Sequence, residues 1–351
     1  MEAYTPEYLR ECADRANAGM IAYFRDAIPM YLDAHHRVYP ELSKTFQMVR
    51  DPEAYINGGF IERIKGLYSP EDREFILEMA DKFERVKLGF AYFSLIRSTR
   101  RPLEAILVSQ NQLRTGWQKT GIPLWRNESV AAHMKDCKEL AFFLFFDDPA
   151  IGIIETMLDF HDIGEVVIGD FTPTCPISKA DKARLERLAI DLLCKHTMRV
   201  DDHFLAKQIF YSFNLYVGSE PQFDGLRSKV KDCDLLSMSI EALQLMADAP
   251  PDRRAELNKR LQEFWEYVGE RLTNQRAKDF FYSLSTERYR CNFEYLSFKD
   301  IVNHVHQYML LNIPNFKEVY PNFLNQCILR SMIELNGEAR FRGETSGMRF
   351  G

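Results

Sequence analysis

The most constraining feature of this chain is a repeated helix signature with little to oppose it. Ser178-Lys179-Ala180-Asp181 has the composition of a capping box, and Leu185, Leu188, Ala189, Leu192 and Leu193 follow it on one face of a 3.6-residue period. Ser69-Pro70-Glu71-Asp72 places a capping serine before a proline at the first helical position and opens a helix running toward about Arg97. Leu257, Leu261, Phe264, Val268 and Leu272 form a third amphipathic stripe. Alternating strand patterns are scarce and short. These observations predict an all-α fold.

The breaks in this pattern suggest an organisation. Ser98-Thr99-Arg100-Arg101-Pro102 is one interruption, and the prolines in Ala247–Arg254 make a stronger one. The expected division is an N-terminal helical extension over 1–104, a central domain over 105–250 and a C-terminal helical extension over 251–351. The glycine-rich stretch from Asn336 to Gly351 is expected to be a flexible tail. The 351 residues suffice for one large domain or two ordinary ones, and a net charge of −6 argues against a general nucleic-acid surface. The first residues are charged and lack an apolar run, so no secretory signal is expected. The longest apolar stretch, Leu140–Phe146, is too short to span a bilayer. Seven cysteines without a CxxC pair read as reduced core thiols in a cytoplasmic protein.

Against this background one segment stands out. Met157, Leu158, Phe160, Ile163, Val166, Val167 and Ile168 form an apolar run, yet it contains His161, Asp162 and Glu165 and leads to Asp170. Charge buried in such surroundings needs a compensating partner, and a metal ion is one. His133 lies near the start of an earlier helical pattern, and Asp234 lies in a later amphipathic helix. Two imidazoles and two carboxylates suit a divalent metal, and four ligands leave positions open for water and substrate. Singly, each residue has a plainer reading. His133 also fits a buried helix histidine, and Asp234 also fits a solvated helix face.

The four words that surround these residues carry more weight together. They are Leu113-Arg114-Thr115-Gly116-Trp117, then Asn127-Glu128-Ser129-Val130-Ala131-Ala132-His133, then His161-Asp162-Ile163-Gly164-Glu165 with Gly169-Asp170, then Val230-Lys231-Asp232-Cys233-Asp234. In this order the segment resembles the HD-domain metal-dependent phosphohydrolases, and within them the 5′-deoxynucleotidase group. The resemblance covers about 111–245 and implies an HD-domain helical bundle. It implies His133, His161, Asp162 and Asp234 as metal ligands and Glu165 as the acid/base residue that acts on the attacking water. It implies Arg114 as a phosphate clamp, a role that suits a bidentate guanidinium. It implies Asp170 as an acceptor for the sugar, although a residue after Gly169 also fits a plain turn. It implies Trp117 as a wall against the sugar, although a core tryptophan fits equally well. Ala132 stands where the family often carries an acidic residue, and the two extensions exceed the usual compact member.

The implied function is removal of phosphate from (deoxy)ribonucleoside 5′-monophosphates with a divalent cation: Mn, Co, Fe, Mg or Zn. The expected partner is a small nucleotide, with no nucleic acid and no membrane, and a homo-oligomer is compatible with the family. Two alternatives remain open here: a dNTP triphosphohydrolase using the same site, and an HD module that binds nucleotide or protein without turnover. His35-His36, His304 with His306, and Asp201-Asp202-His203 lack the motif context of a metal site. No GxxxxGK, GxGxxG or GxSxG sequence is present.

Overall fold

The computed structural model of the chain describes residues 5–38, 40, 51–118, 120–172, 175–200, 203–293, 307, 310 and 311. Among them the secondary structure is helical, and the one extended pairing is an isolated antiparallel bridge between Leu113 and Ser129. The all-α expectation holds. No helix of the described residues is long and apolar enough to cross a membrane. Asp201, Asp202, His304, His306 and the glycine-rich tail lie outside the described residues.

The chain forms two compact units, Met1–Phe143 with Asp148–Ser237, and Leu144–Asp147 with Met238–Gly351. These borders differ from those expected at 104 and 250. The physical reason at the first border is a shared core. In the first unit, α1 (Pro6–Val38), α2 (Pro70–Lys82), α3 (Glu84–Leu95) and α4 (Arg101–Ser109) come from the N-terminal part. Phe24 and Ile28 of α1 and Val86, Phe90 and Phe93 of α3 are buried in one cluster with Ile163, Val166, Val167 and Ile168. The second border falls inside a continuous helix.

The rest of the first unit includes α5 (Thr115–Gln118), most of α6 (Val130–Phe145), α7 (Ile151–Leu158), α8 (Glu165–Ile168), α9 (Lys179–Ile190), α10 (Phe204–Val217) and the first half of α11 (Asp224–Asp248). The second unit continues from α11 into α12 (Pro251–Arg260), α13 (Gln262–Gly269) and α14 (Gln275–Phe293). Within it Trp265 stacks near Phe281 and donates its indole N–H to Ser285 Oγ at 3.0 Å, while Arg276 pairs with Asp147.

Both serine caps form: Ser69 Oγ accepts from the Asp72 N–H and Ser178 Oγ from the Asp181 N–H. The helix begun at Ser69 does not run unbroken to Arg97. Phe83 adopts extended backbone (φ −132°, ψ 108°) between α2 and α3, and its ring packs edge-on against Phe171. No glycine or proline marks this break, and the partly buried Phe83 ring packs against the core there.

The contact of α3 with α8 fixes the segment that carries the ionisable cluster. Arg85 is buried, donates to Val167 O at 2.9 Å and to Val166 O, and so caps the carbonyl end of α8. Its guanidinium also lies 4.5 Å from the centre of the Phe24 ring and donates to Gln112 Oε1. Gly89 permits this approach, because a Cβ there would fall 1.7 Å from Val167 O and 2.6 Å from Arg85 Nη1. Alanine favours helix over glycine by roughly 1 kcal/mol, yet the clash is with backbone and cannot be relieved by a rotamer. Gly89→Ala should therefore destabilise the protein by about 1–3 kcal/mol. A thermal unfolding midpoint equal to or above the wild type would refute this account of the α3–α8 contact.

Candidate metal centre

The site is assembled by three pieces of chain. On α6, Val130, His133, Met134, Cys137, Ala141 and Leu144 are buried, a stripe at helical spacing that carries His133 inward. Ser129 Oγ accepts from the Ala132 N–H at the start of that helix. On α11, Val230, Cys233, Asp234 and Ser237 form the corresponding buried stripe. His161 and Asp162 lie in the tight turns between α7 and α8, not on a helix of their own. The doublet is held by a turn whose exit is the Arg85-capped α8.

The four residues converge. His133 Nε2 lies 3.2 Å from Asp234 Oδ1 and 3.5 Å from Asp162 Oδ2. His161 Nε2 lies 3.5 Å from Asp162 Oδ2 and 3.9 Å from Asp234 Oδ1. The second nitrogen of each ring is already engaged. His161 Nδ1 lies 2.9 Å from Leu158 O, which can only accept, so this nitrogen carries the proton in the neutral ring. Ser237 Oγ donates to Asp234 O at 2.8 Å and lies 3.1 Å from His133 Nδ1, which assigns the donor role to that nitrogen too. Both neutral imidazoles thus aim an Nε2 lone pair at two carboxylates. His161 Nε2 is buried with no hydrogen-bond partner. A lone pair facing anions is unfavourable, so this geometry asks for a proton or a cation between them.

The electrostatics agree. Burial opposes ionisation of Asp162, but His161 and Arg114 outweigh it and hold the carboxyl down to about 2. Burial opposes ionisation of Asp234 too, but Lys231, at 2.7 Å, and His133 keep it well below the carboxylate range. Burial would lower His161, and Asp162 instead pulls it up to about 9. Two carboxylates kept charged and two imidazoles drawn toward their charged form make one centre that demands positive charge. A metal that displaces those protons meets the same demand.

The remaining sequence candidates surround this centre. Arg114 donates to Asp162 Oδ2 at 2.8 Å and lies 3.9 Å from Glu165 Oε2. Its backbone is clamped beside the start of α6: Arg114 N donates to Glu128 O, and Asn127 Nδ2 donates to Arg114 O. Glu165 is buried, its Oε1 lies 3.3 Å from Lys182 Nζ, and its Oε2 has no hydrogen-bond partner. Burial raises this carboxyl well above the usual range, Asp170 and Asp162 add to the rise, and Lys182 and Arg114 oppose it. Asp170 follows Gly169, whose φ of +90° gives the turn, and its Oδ2 accepts from the Thr115 N–H at 2.6 Å. Asp170 thus accepts from the first backbone N–H of α5. Trp117 is buried and donates its indole N–H to Glu128 Oε1 at 2.8 Å.

Sequence reasoning missed three residues. Cys137, taken there as core, lies in the cluster: one ligand atom each of His133, Cys137, His161 and Asp234 falls within 4.8 Å of the others. Its position four residues after His133 was the available signal. Lys231, three residues before Asp234, was legible in the same way. Lys182, which reaches Glu165 and donates to Phe171 O at 2.8 Å, had no such signal. His203, from the discounted acidic group, caps α10 by accepting from the Ala206 N–H.

Comparison with known proteins agrees with this geometry. An HD domain family model matches residues 109–276. A zebrafish protein (Danio rerio) named 5′-deoxynucleotidase HDDC2 is 31% identical over 180 residues, 50% of this chain and 81% of that protein. The chain belongs to the HD-domain metal-dependent phosphohydrolases. A Dictyostelium discoideum protein of the same name is 33% identical over 140 residues, covering 37% of this HD protein and 68% of the relative. The Saccharomyces cerevisiae protein named 5′-deoxynucleotidase YGK1 is 24% identical over 181 residues, 51% of this chain and 76% of the relative. Among the described residues of this HD protein, the buried His/Cys/His/Asp cluster is the group able to hold a divalent metal.

Proposed function

We propose that this HD protein is a 5′-deoxynucleotidase that removes phosphate from (deoxy)ribonucleoside 5′-monophosphates, with His133, His161, Asp162 and Asp234 as ligands of its divalent cation. The observation that carries the reading is the unpartnered His161 Nε2, buried and aimed with His133 Nε2 at two ionised carboxylates. Donor spacings of 3.2–3.9 Å bracket the roughly 3.4 Å between nitrogen and oxygen atoms that share one tetrahedral ion. Nitrogen and carboxylate donors fit Mn, Co, Fe, Mg or Zn. When bound, the cation supplies Lewis-acid polarisation of the phosphate. Arg114, beside Asp162, contributes guanidinium donors for the phosphate oxygens. Glu165 holds the water that attacks in line and takes its proton, and Lys182 orients that carboxylate. Asp170 and Trp117 border the Arg114 segment, where Asp170 would meet the sugar and Trp117 would limit room for a 2′-hydroxyl. The names of the matched relatives support the monophosphate substrate, and the buried Cys12, Cys137, Cys194 and Cys233, none in a disulfide, support a cytoplasmic setting.

The test is phosphate release from deoxy- and ribonucleoside 5′-monophosphates and from dNTPs, with Mn, Co, Mg or Zn restored after chelation. Orthophosphate from deoxynucleoside monophosphates, dependent on the metal, is the expected result. Tripolyphosphate from dNTPs alone would replace the reading with a triphosphohydrolase. Tight nucleotide binding without turnover under any metal would replace it with a binding module.

A further inference from the structure

Cys137 has no part in the ligand set just proposed, yet it lies inside the cluster. It follows His133 by four positions on α6, so the two side chains share the face that points at Asp234 and His161. Its Sγ lies 3.6 Å from His133 Nε2 and 3.8 Å from His133 Nδ1, and the residue is fully buried. Around one tetrahedral ion, a sulfur at about 2.3 Å and an imidazole nitrogen at about 2.0–2.1 Å stand roughly 3.6 Å apart. The thiol therefore already occupies ligand spacing from a histidine nitrogen. Independently of the thiol, the buried His161 Nε2 lacks a partner and belongs to the same cluster. Cys12, Cys194 and Cys233 are also buried, but among the described residues Cys137 is the cysteine in a metal-capable group.

We propose that Cys137 is a metal-binding residue of this centre, presenting a sulfur donor to the cation beside His133, His161 and Asp234. The inference rests on the metal reading above and deepens it. The thiol adds a sulfur donor to the four ligands already proposed, of which Asp162 also accepts from Arg114 at 2.8 Å through Oδ2. Imidazole and carboxylate donors alone accept Mg or Mn as well as Zn, whereas a thiolate favours Zn, Co or Cd. The consequence is selectivity: this chain should discriminate in favour of thiophilic cations.

Cobalt(II) is the probe. It is added to the full chain after chelation, and bound cobalt is counted by elemental analysis and by its visible ligand-field bands. The expected result is a thiolate-to-cobalt charge-transfer band in the near ultraviolet. That band should be lost in Cys137→Ser and Cys137→Ala while the visible bands remain, and it should persist in Cys233→Ser. Zinc affinity relative to magnesium should fall by at least about tenfold in Cys137→Ser. Stoichiometric cobalt without the near-ultraviolet band in the wild type would overturn the Cys137 inference and leave the metal centre standing. No bound cobalt in the wild type would overturn the metal centre and the inference with it. If the Cys137 variants do not fold, cadmium-113 NMR of the wild type and of Cys233→Ser decides. A sulfur-shifted resonance in both supports the assignment, and a resonance typical of nitrogen and oxygen donors alone overturns it.

Discussion

His161→Ala should lose the divalent cation and, with it, hydrolysis. His161 supplies the Nε2 that faces both Asp162 Oδ2 and Asp234 Oδ1, and its other nitrogen is committed to Leu158 O. No neighbouring imidazole can replace it, because His133 is held on α6 by Ser237 and Asp234. Alanine leaves Asp162 beside Arg114 and Asp234 beside Lys231, so both carboxylates stay compensated and the fold should persist. The metal, by contrast, loses a first-hand donor and part of the geometry of the rest. Metal content after dialysis should drop below one per chain, and phosphate release at fixed metal should fall about a thousandfold or more. Elemental analysis and phosphate release from deoxynucleoside 5′-monophosphates check the two halves separately. Stoichiometric metal with full turnover in the variant would sink the assignment of His161.

Much of this centre could be read from the sequence because local rules governed it. The stripe on α6 follows from 3.6-residue spacing, and it places His133 inward. The serine caps at Ser69 and Ser178 form because a hydroxyl beside unsatisfied N–H groups has one good use. The chemistry of His161, Asp162 and Glu165 was visible as charge in an apolar run, whereas Asp234 alone also fitted a solvated helix face. What could not be read depended on distance along the chain. Arg85 lies 82 residues from Val167, and its capping of α8 exists only once α3 and α8 meet. Lys182 reaches Glu165 across 17 residues and a turn. The break at Phe83 carries no glycine or proline, and its ring contact with Phe171 joins residues distant in the sequence. The same long-range packing moved the first border. Helices expected to form a separate extension supply Phe24, Val86 and Phe90 to the core beneath His161 and Glu165. Cys137 is an intermediate case. Its spacing from His133 was plain, but the absence of any CxxC pattern made a core thiol the simpler reading.

Glu165→Gln separates proton handling from metal binding. Glutamine keeps the size of the side chain and an oxygen for Lys182, but it cannot take a proton from water. Lys182 retains Glu186 at 3.4 Å and Phe171 O at 2.8 Å, so removing one negative charge does not strand its buried ammonium. Arg114 likewise keeps Asp162. The variant should therefore fold and bind metal as the wild type does. Its turnover should fall by roughly 10²–10⁴-fold, the usual contribution of a positioned general base, with little change in KM. The pH dependence gives a second readout. A base must be ionised to accept a proton, and burial with Asp170 and Asp162 raises the Glu165 carboxyl above the usual range. Wild-type turnover should thus decline on acidification as Glu165 becomes protonated, and that limb should vanish from the residual activity of Glu165→Gln. Steady-state kinetics across pH, with metal content measured on the same samples, make the comparison. A variant with intact metal and undiminished turnover would show that the attacking water is activated without Glu165. In that case the carboxylate serves to anchor Lys182 and Arg114 rather than to move a proton.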